Sequence, residues 1–234
     1  MSWRAQIEKY RHDWSSFPSD AALGYRTEGA RGVWSALAER SVYRVFRMGR
    51  LTVYAQPLDN IPVLPPPPGI RVAAIRNEEW PVFSSLVRQR NLSRFRARAQ
   101  AGCHCLVAWR GSTPLGYAWV AEQITPLVSE VPPPLPPDAA YLWDLFVIPG
   151  ERGNGIGSAL AHARLQAAQA LGFREGWRMI SPSNAASIRT LDKSGSEARV
   201  IGELRYLKVL NRLRVRFIPA PDHPVPIRNK EGRP

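Results

Sequence analysis

This sequence predicts an α+β fold: a central, mostly antiparallel sheet flanked by helices, with a small α+β extension ahead of it. Three observations predict it. Short β-prone runs follow one another as hairpins between residues 103 and 147, amphipathic helical segments flank them, and a run of prolines separates both from the first sixty residues.

In the extension, Trp3, Ile7, Tyr10 and Trp14 recur at helical spacing, and Val33, Trp34 and Leu37 suggest a second short helix. Residues 42–47 and Leu51–Tyr54 then alternate around Met48, Gly49 and Arg50 as the arms of a hairpin would. The run from Ile61 to Gly69 contains four successive prolines, which remove backbone donors and fix an extended chain. A domain boundary is expected there, giving an extension over 1–62, a linker over 63–69, a main domain over 70–217 and a proline-rich, basic tail over 218–234.

In the main domain, Ile70–Ile75 reads as a strand, Asn77 as the cap of a helix through Leu86 and Val87, and Leu92–Ala99 as an arginine-rich helical piece. Cys103–Trp109 and Tyr117–Glu122 make a hairpin. A stiff proline-rich loop over Val131–Pro137 leads to the strongly β-prone Tyr141–Val147. A glycine-rich turn opens a long helix with Leu160, Ala163, Ala167 and Leu171 on one face. After it come a strand at Trp177–Ser181, a helix at Ala185–Lys193 and a last strand at Val200–Val209.

No apolar run reaches the roughly 20 residues that cross a bilayer, and Met1–Tyr10 lacks a signal-peptide core, so a cytoplasmic, soluble protein is expected. Cys103 and Cys105 are expected as small core thiols rather than metal ligands, because three adjacent groups including His104 cannot wrap one ion. His12, His162 and His223 are assigned surface or packing roles. The net charge of +13 is concentrated in two clusters, Arg88 to Arg98 and Arg205 to Arg216. Such clusters attract anions: coenzyme phosphates, an acidic carrier protein, nucleic acid or anionic lipid.

The chemistry-bearing segment is residues 147–157, which run from a strand into a helix with glycines at 153, 155 and 157. Backbone N–H groups turned outward at such a junction, together with the positive end of the helix dipole, make a nest for a pyrophosphate. A P-loop would need a Gly-Lys-Ser/Thr ending, and a dinucleotide fold would need this turn after the first strand with an acid on the next; neither is present.

Arg152-Gly-Asn-Gly-Ile-Gly157 resembles the Arg/Gln-x-x-Gly-x-Gly/Ala coenzyme A signature of the GNAT acyltransferase superfamily. A second segment, Asn184, Ser187, Leu191, Lys193 and Gly195, is similar to that family's downstream motif. The resemblance covers about residues 69–217 and implies a mixed sheet with acetyl-coenzyme A, or a longer acyl-coenzyme A, as co-substrate, and no metal. It implies that backbone amides of Arg152, Gly153, Asn154, Gly155, Ile156, Gly157 and Ser158 hold the pyrophosphate. It further implies that the backbone of Phe146 and Val147 pairs with the pantetheine arm and that Asn184 hydrogen-bonds that arm.

The chain departs from the family where a tyrosine general acid usually stands, since Leu191 and Asp192 occupy that place. Candidate bases are Asp144, Glu122 and Tyr141. Arg94 and Arg98 are candidate contacts for an acceptor carrying carboxylate or phosphate. The function implied is acyl transfer from coenzyme A to a primary amine of a small molecule, sugar or peptide. One alternative takes a fatty acyl group from an acyl carrier protein; another is a catalytically silent module that binds nucleic acid or an anionic membrane. A homodimer is a further expectation, and the aromatic stripe of the first segment is expected to pack either on the catalytic domain or on a second subunit.

Overall fold

The computed structural model of the chain describes residues 46–221, apart from 88, 195, 196 and 211, together with scattered positions between 18 and 37. The helix expected over Trp3–Trp14 and the tail beyond 221 lie outside the described residues, while Val33, Trp34 and Leu37 are helical.

Eight strands form one sheet in the order β2-β3-β4-β5-β6-β1-β7-β8. They are β1 (Phe46–Pro57), β2 (Arg71–Ala74), β3 (His104–Arg110), β4 (Thr113–Ala121), β5 (Ala139–Val147), β6 (Glu175–Ile180), β7 (Arg199–Val209) and β8 (Arg212–Pro219). From residue 46 onward the α-helices are α1 (Trp80–Phe83), α2 (Gln89–Gln100), α3 (Ile156–Ala170) and α4 (Ala185–Asp192). Every pairing is antiparallel except β5 with β6, so the sheet is mixed and mostly antiparallel, as expected.

Alternation along the strands builds two cores. Leu106 and Ala108 of β3, with Leu115, Ala118 and Val120 of β4, face Ile156, Leu160, Leu165 and Ala168 of α3. Their odd-numbered neighbours Cys105, Val107 and Trp109, with Tyr117 and Trp119, face the other way onto Trp80 and Phe83 of α1 and Phe95 of α2. A period of two along β3, and along β4 from Tyr117 onward past the irregularity at Leu115, thus fills both layers. Removing one large side chain of this kind from water is worth about 1.5–3 kcal/mol. Cys105 is buried, and burial pushes its thiol pKa well up, the behaviour of a core thiol.

Several sequence expectations are corrected. The hairpin about Met48–Arg50 does not form: these residues continue one strand and pair with Leu207, Tyr206 and Arg205 of β7. Gly49 is small there for close approach rather than for a turn, since a Cβ would lie 2.7 Å from the Tyr206 hydroxyl. β1 lies between β6 and β7, inside the sheet that residues 70–217 alone were expected to build.

The proline run is fastened down rather than free. Ile61 packs on the core beside α3, the Leu64 N–H donates to His162 Nε2 at 3.4 Å, and the Gln169 side chain donates to the Leu58 carbonyl at 2.5 Å. His162, for which a surface or packing role is expected, takes the packing one: it is 2% exposed, with Nδ1 set to donate to the Ser194 carbonyl at 3.4 Å. Leu171, read as part of the buried face, is instead the half-exposed C-cap of α3. Asn77 is not the cap it resembled; the Glu79 carboxylate reaches back to accept from the Arg76 N–H at 2.8 Å. β8 was not anticipated, because Arg212–Pro219 alternates arginine with apolar residues on an edge where neither face is well buried.

Candidate functional site

The site is made by a parting of strands. β5 and β6 pair only through Ala139–Tyr141 with Glu175–Trp177, so from Leu142 onward β5 keeps β4 as its only partner. On that remaining side β5 carries a bulge: Tyr117 faces Phe146 and Trp119 faces Trp143, three steps of β5 against two of β4. Asp144 lies in the extra step with φ +50°, a left-handed conformation that non-glycine residues take rarely and that recurs at functional sites.

A cleft of about 530 Å³ opens at this parting. Leu145, Phe146 and Val147 line it from β5, the glycine turn and Ser158 from the start of α3, and Asn184, Ala186, Ser187, Arg189, Thr190 and Lys193 from α4 and its ends. Gly153 and Gly155 have φ +90° and +78°, and Gly155 is the N-cap of α3. No side chain caps the amides that open this helix, and they border the cleft. A Cβ on Gly155 would also meet Pro67 at 3.1 Å, so the proline run closes the outer side of the turn. This cradle, together with the basic Arg152, Arg189 and Lys193 on its walls, fits a diphosphate.

The residues expected to bind coenzyme A therefore converge, with differences in detail. Phe146, Val147, Arg152, Gly153, Gly155, Gly157, Ser158 and Asn184 all line the cleft. The Ile156 side chain points into the core, and Asn154 Nδ2 donates to Glu151 at 3.3 Å, which leaves these two only their backbone. Arg152 Nε donates to the Val147 carbonyl at 3.1 Å and fixes the strand end to the turn. Glu151 is held in place by Arg110, whose guanidinium keeps its carboxyl below the usual range. Asn184 does two things: its Oδ1 accepts from the Ser187 N–H at 3.1 Å as a helix cap, and its side chain borders the cleft. The sequence reading missed Arg189. Its signal was the spacing Arg189, Lys193, which puts two cations one turn apart beside Thr190.

The candidate catalytic residues do not cluster. Glu122 is half-exposed and faces His104 at 3.5 Å, away from the cleft lining. Tyr141 is buried in a small cluster with Ala121 and Val128, and burial raises its phenol above the ordinary range, which opposes a role as base. Leu191 is buried and offers no proton. Asp144 alone lies beside the parting, lining a small cavity that shares Leu145, Ser187 and Thr190 with the main cleft.

Arg98 is where the expectation of an anionic-acceptor contact fails. It is 5% exposed, donates from Nη1 to Asp144 Oδ2 at 2.7 Å and from Nε to the Leu127 carbonyl at 2.9 Å, and lies 5.0–5.6 Å from the ring centres of Phe95, Trp119 and Trp143. Arg94 also donates to the Leu127 carbonyl, at 3.2 Å. Both arginines hold the loop after β4 in place, and Arg98 fixes the bulge. Among the described residues no group of three or more His, Cys, Asp or Glu side chains forms a metal site, and no helix is long and apolar enough to cross a membrane.

The model of the acetyltransferase (GNAT) family matches residues 72–195, more than half of the chain. The chain belongs to the GNAT family. No curated protein shows significant sequence similarity to this GNAT chain. Among solved structures it is similar to a structural-genomics protein from Drosophila (15% identity, 79% of this chain and 68% of that one, TM-score 0.50). It is also similar to a GCN5-related N-acetyltransferase from Sphaerobacter thermophilus (17% identity, 83% and 58%, TM-score 0.49). A third is a glucosamine N-acetyltransferase region of a fungal multi-domain protein (14% identity, 76% and 22%, TM-score 0.49). The chain thus spans about a fifth to two thirds of the length of these structures, and at such identities the likeness concerns the fold alone.

Proposed function

We propose that this GNAT protein is an N-acyltransferase that moves an acetyl or longer acyl group from acyl-coenzyme A to a primary amine of a small molecule, sugar or peptide. The amine attacks the thioester directly, with both substrates bound together. The observation that carries the reading is the cleft at the β5–β6 parting, because it joins an extended strand edge to a nest of free amides. Bound there, acyl-coenzyme A would supply the activated acyl group, the new amide bond forming as the C–S bond breaks and coenzyme A leaves as the thiol.

The chain's own residues supply position and charge. Amides from Arg152 to Ser158 with Arg189 and Lys193 receive phosphates, the free edge of Leu145–Val147 aligns an amide-bearing arm, and Asn184 donates to it from Nδ2. Asp144 is the group best placed to take the amine's proton, since its side chain is 32% exposed, borders the parting and is anchored through one oxygen by Arg98. A panel of amines incubated with acetyl-coenzyme A and read by mass spectrometry tests the reading. It predicts a gain of one acetyl group on at least one primary amine and none on matched tertiary amines; hydrolysis alone in every sample would refute it.

A further inference from the structure

At the inner end of the cleft two buried arginines form no ion pair among the described residues. Arg164 comes from α3 and Arg178 from β6, and each is 4% exposed. They line one cavity of about 90 Å³ with Leu142, Trp143, Asp144 and Leu145, against the bulge of β5. Arg164 makes one long contact, from Nη1 to the Trp143 carbonyl at 3.3 Å, and Arg178 gives Nη2 to the Gln56 side chain, which is itself bound to Ser194 Oγ at 2.8 Å. The Nε of each arginine is buried without any hydrogen-bond partner.

Among the described residues neither forms an ion pair. Asp144 shares the cavity, but its carboxylate is held by Arg98 at 2.7 Å. Two guanidinium groups that keep their charge inside a protein leave a large desolvation cost uncompensated. Burial lowers the pKa of Arg164 to about 10 and that of Arg178 well below its usual value, the latter further through Arg164.

We infer that this cavity binds a carboxylate carried by one of the two substrates, seated between Arg164 and Arg178 at the reacting end of the cleft. The inference rests on the acyltransferase reading and sharpens its specificity. A planar carboxylate matches the fork of a guanidinium, and the cavity shares Leu145, Ser187 and Thr190 with the coenzyme cleft, so a ligand that reaches past Leu145 from that cleft brings one there. The carboxylate has two possible bearers: the acyl group of a dicarboxylic acyl-coenzyme A, or an acceptor amine that is an amino acid.

Calorimetry on the full chain separates the bearers. The donor arm compares coenzyme A, butyryl-coenzyme A and succinyl-coenzyme A, the last two matched in chain length. The acceptor arm compares glycine with glycinamide in the presence of saturating coenzyme A. A preference of at least tenfold for the carboxylate in one arm is expected, with Arg164→Gln and Arg178→Gln each abolishing it while coenzyme A itself binds as before. Equal affinity in both arms for the unaltered protein overturns the inference, and that comparison needs no variant to fold. So does a preference that survives both substitutions. Failure of coenzyme A to bind at all falls instead on the acyltransferase reading, and the inference falls with it.

Discussion

Gly155 begins α3 at φ +78° with Pro67 against its α-carbon, so its lack of a side chain is used twice. Gly155→Ala should lower stability by about 1 kcal/mol, from the left-handed backbone alone, and weaken coenzyme A about tenfold by shifting the amides; melting temperature and calorimetry read the two effects. Arg98 gives a contrasting case, where the residue type was legible as charge and its use was not. From the sequence it was one of five arginines in a basic stretch. The structure places it under Phe95, Trp119 and Trp143 with Asp144 as its partner, contacts that join α2, β4 and β5 across distant sequence. Arg98→Met leaves the Asp144 carboxylate without its partner and should cost about 3 kcal/mol in denaturant unfolding, whereas the Arg98→Met/Asp144→Asn pair should cost less than that single change. Additive losses would show that the two side chains are not coupled.

The glycine turn and α3 were read correctly because the turn residues and the helical period are local signals. α4 was equally legible, and its cap separates structure from function. Asn184→Asp keeps an oxygen for the Ser187 N–H and should retain the melting temperature while losing coenzyme affinity; Asn184→Ala should lose both, with about 1 kcal/mol of stability. An equal loss of affinity and stability in the aspartate variant would contradict the second role of this side chain. Glu79, at the entrance to α1, has a pH signature. Burial pushes its carboxyl pKa up, but the Arg76 N–H and the guanidinium groups of Arg76 and Arg71 outweigh this and hold it below its ordinary value. A folded-state pKa below the unfolded one adds stability above about pH 4.5, the unfolded carboxyl range, which is lost as pH falls through the folded value. Glu79→Gln should therefore be less stable than the parent at neutral pH and lose less on acidification, as urea unfolding at pH 7 and pH 3.5 would report.

For the molecule as a whole, the boundary drawn at the proline run was the misleading part of the sequence. Four prolines do interrupt regular structure, but nothing local reveals that Phe46–Pro57 slots between β6 and β7, since strand order is set by contacts far apart along the chain. The parting of β5 from β6 was hidden for the same reason, although the motif beside it was not. A chain starting at residue 63 should fail to fold, because the strand that joins β6 to β7 would be missing, leaving β6 only its three-residue pairing with β5, and Val53 and Ala55 would leave the core; a cooperative melt from that fragment would contradict the position of β1. Coenzyme binding depends on the cleft where β5 and β6 separate. Titrating coenzyme A into the intact protein in a calorimeter tests it most directly: saturable heat at one site per chain, weakened by Gly155→Ala and by Asn184→Asp, is the predicted result, and the absence of saturable binding would contradict the account.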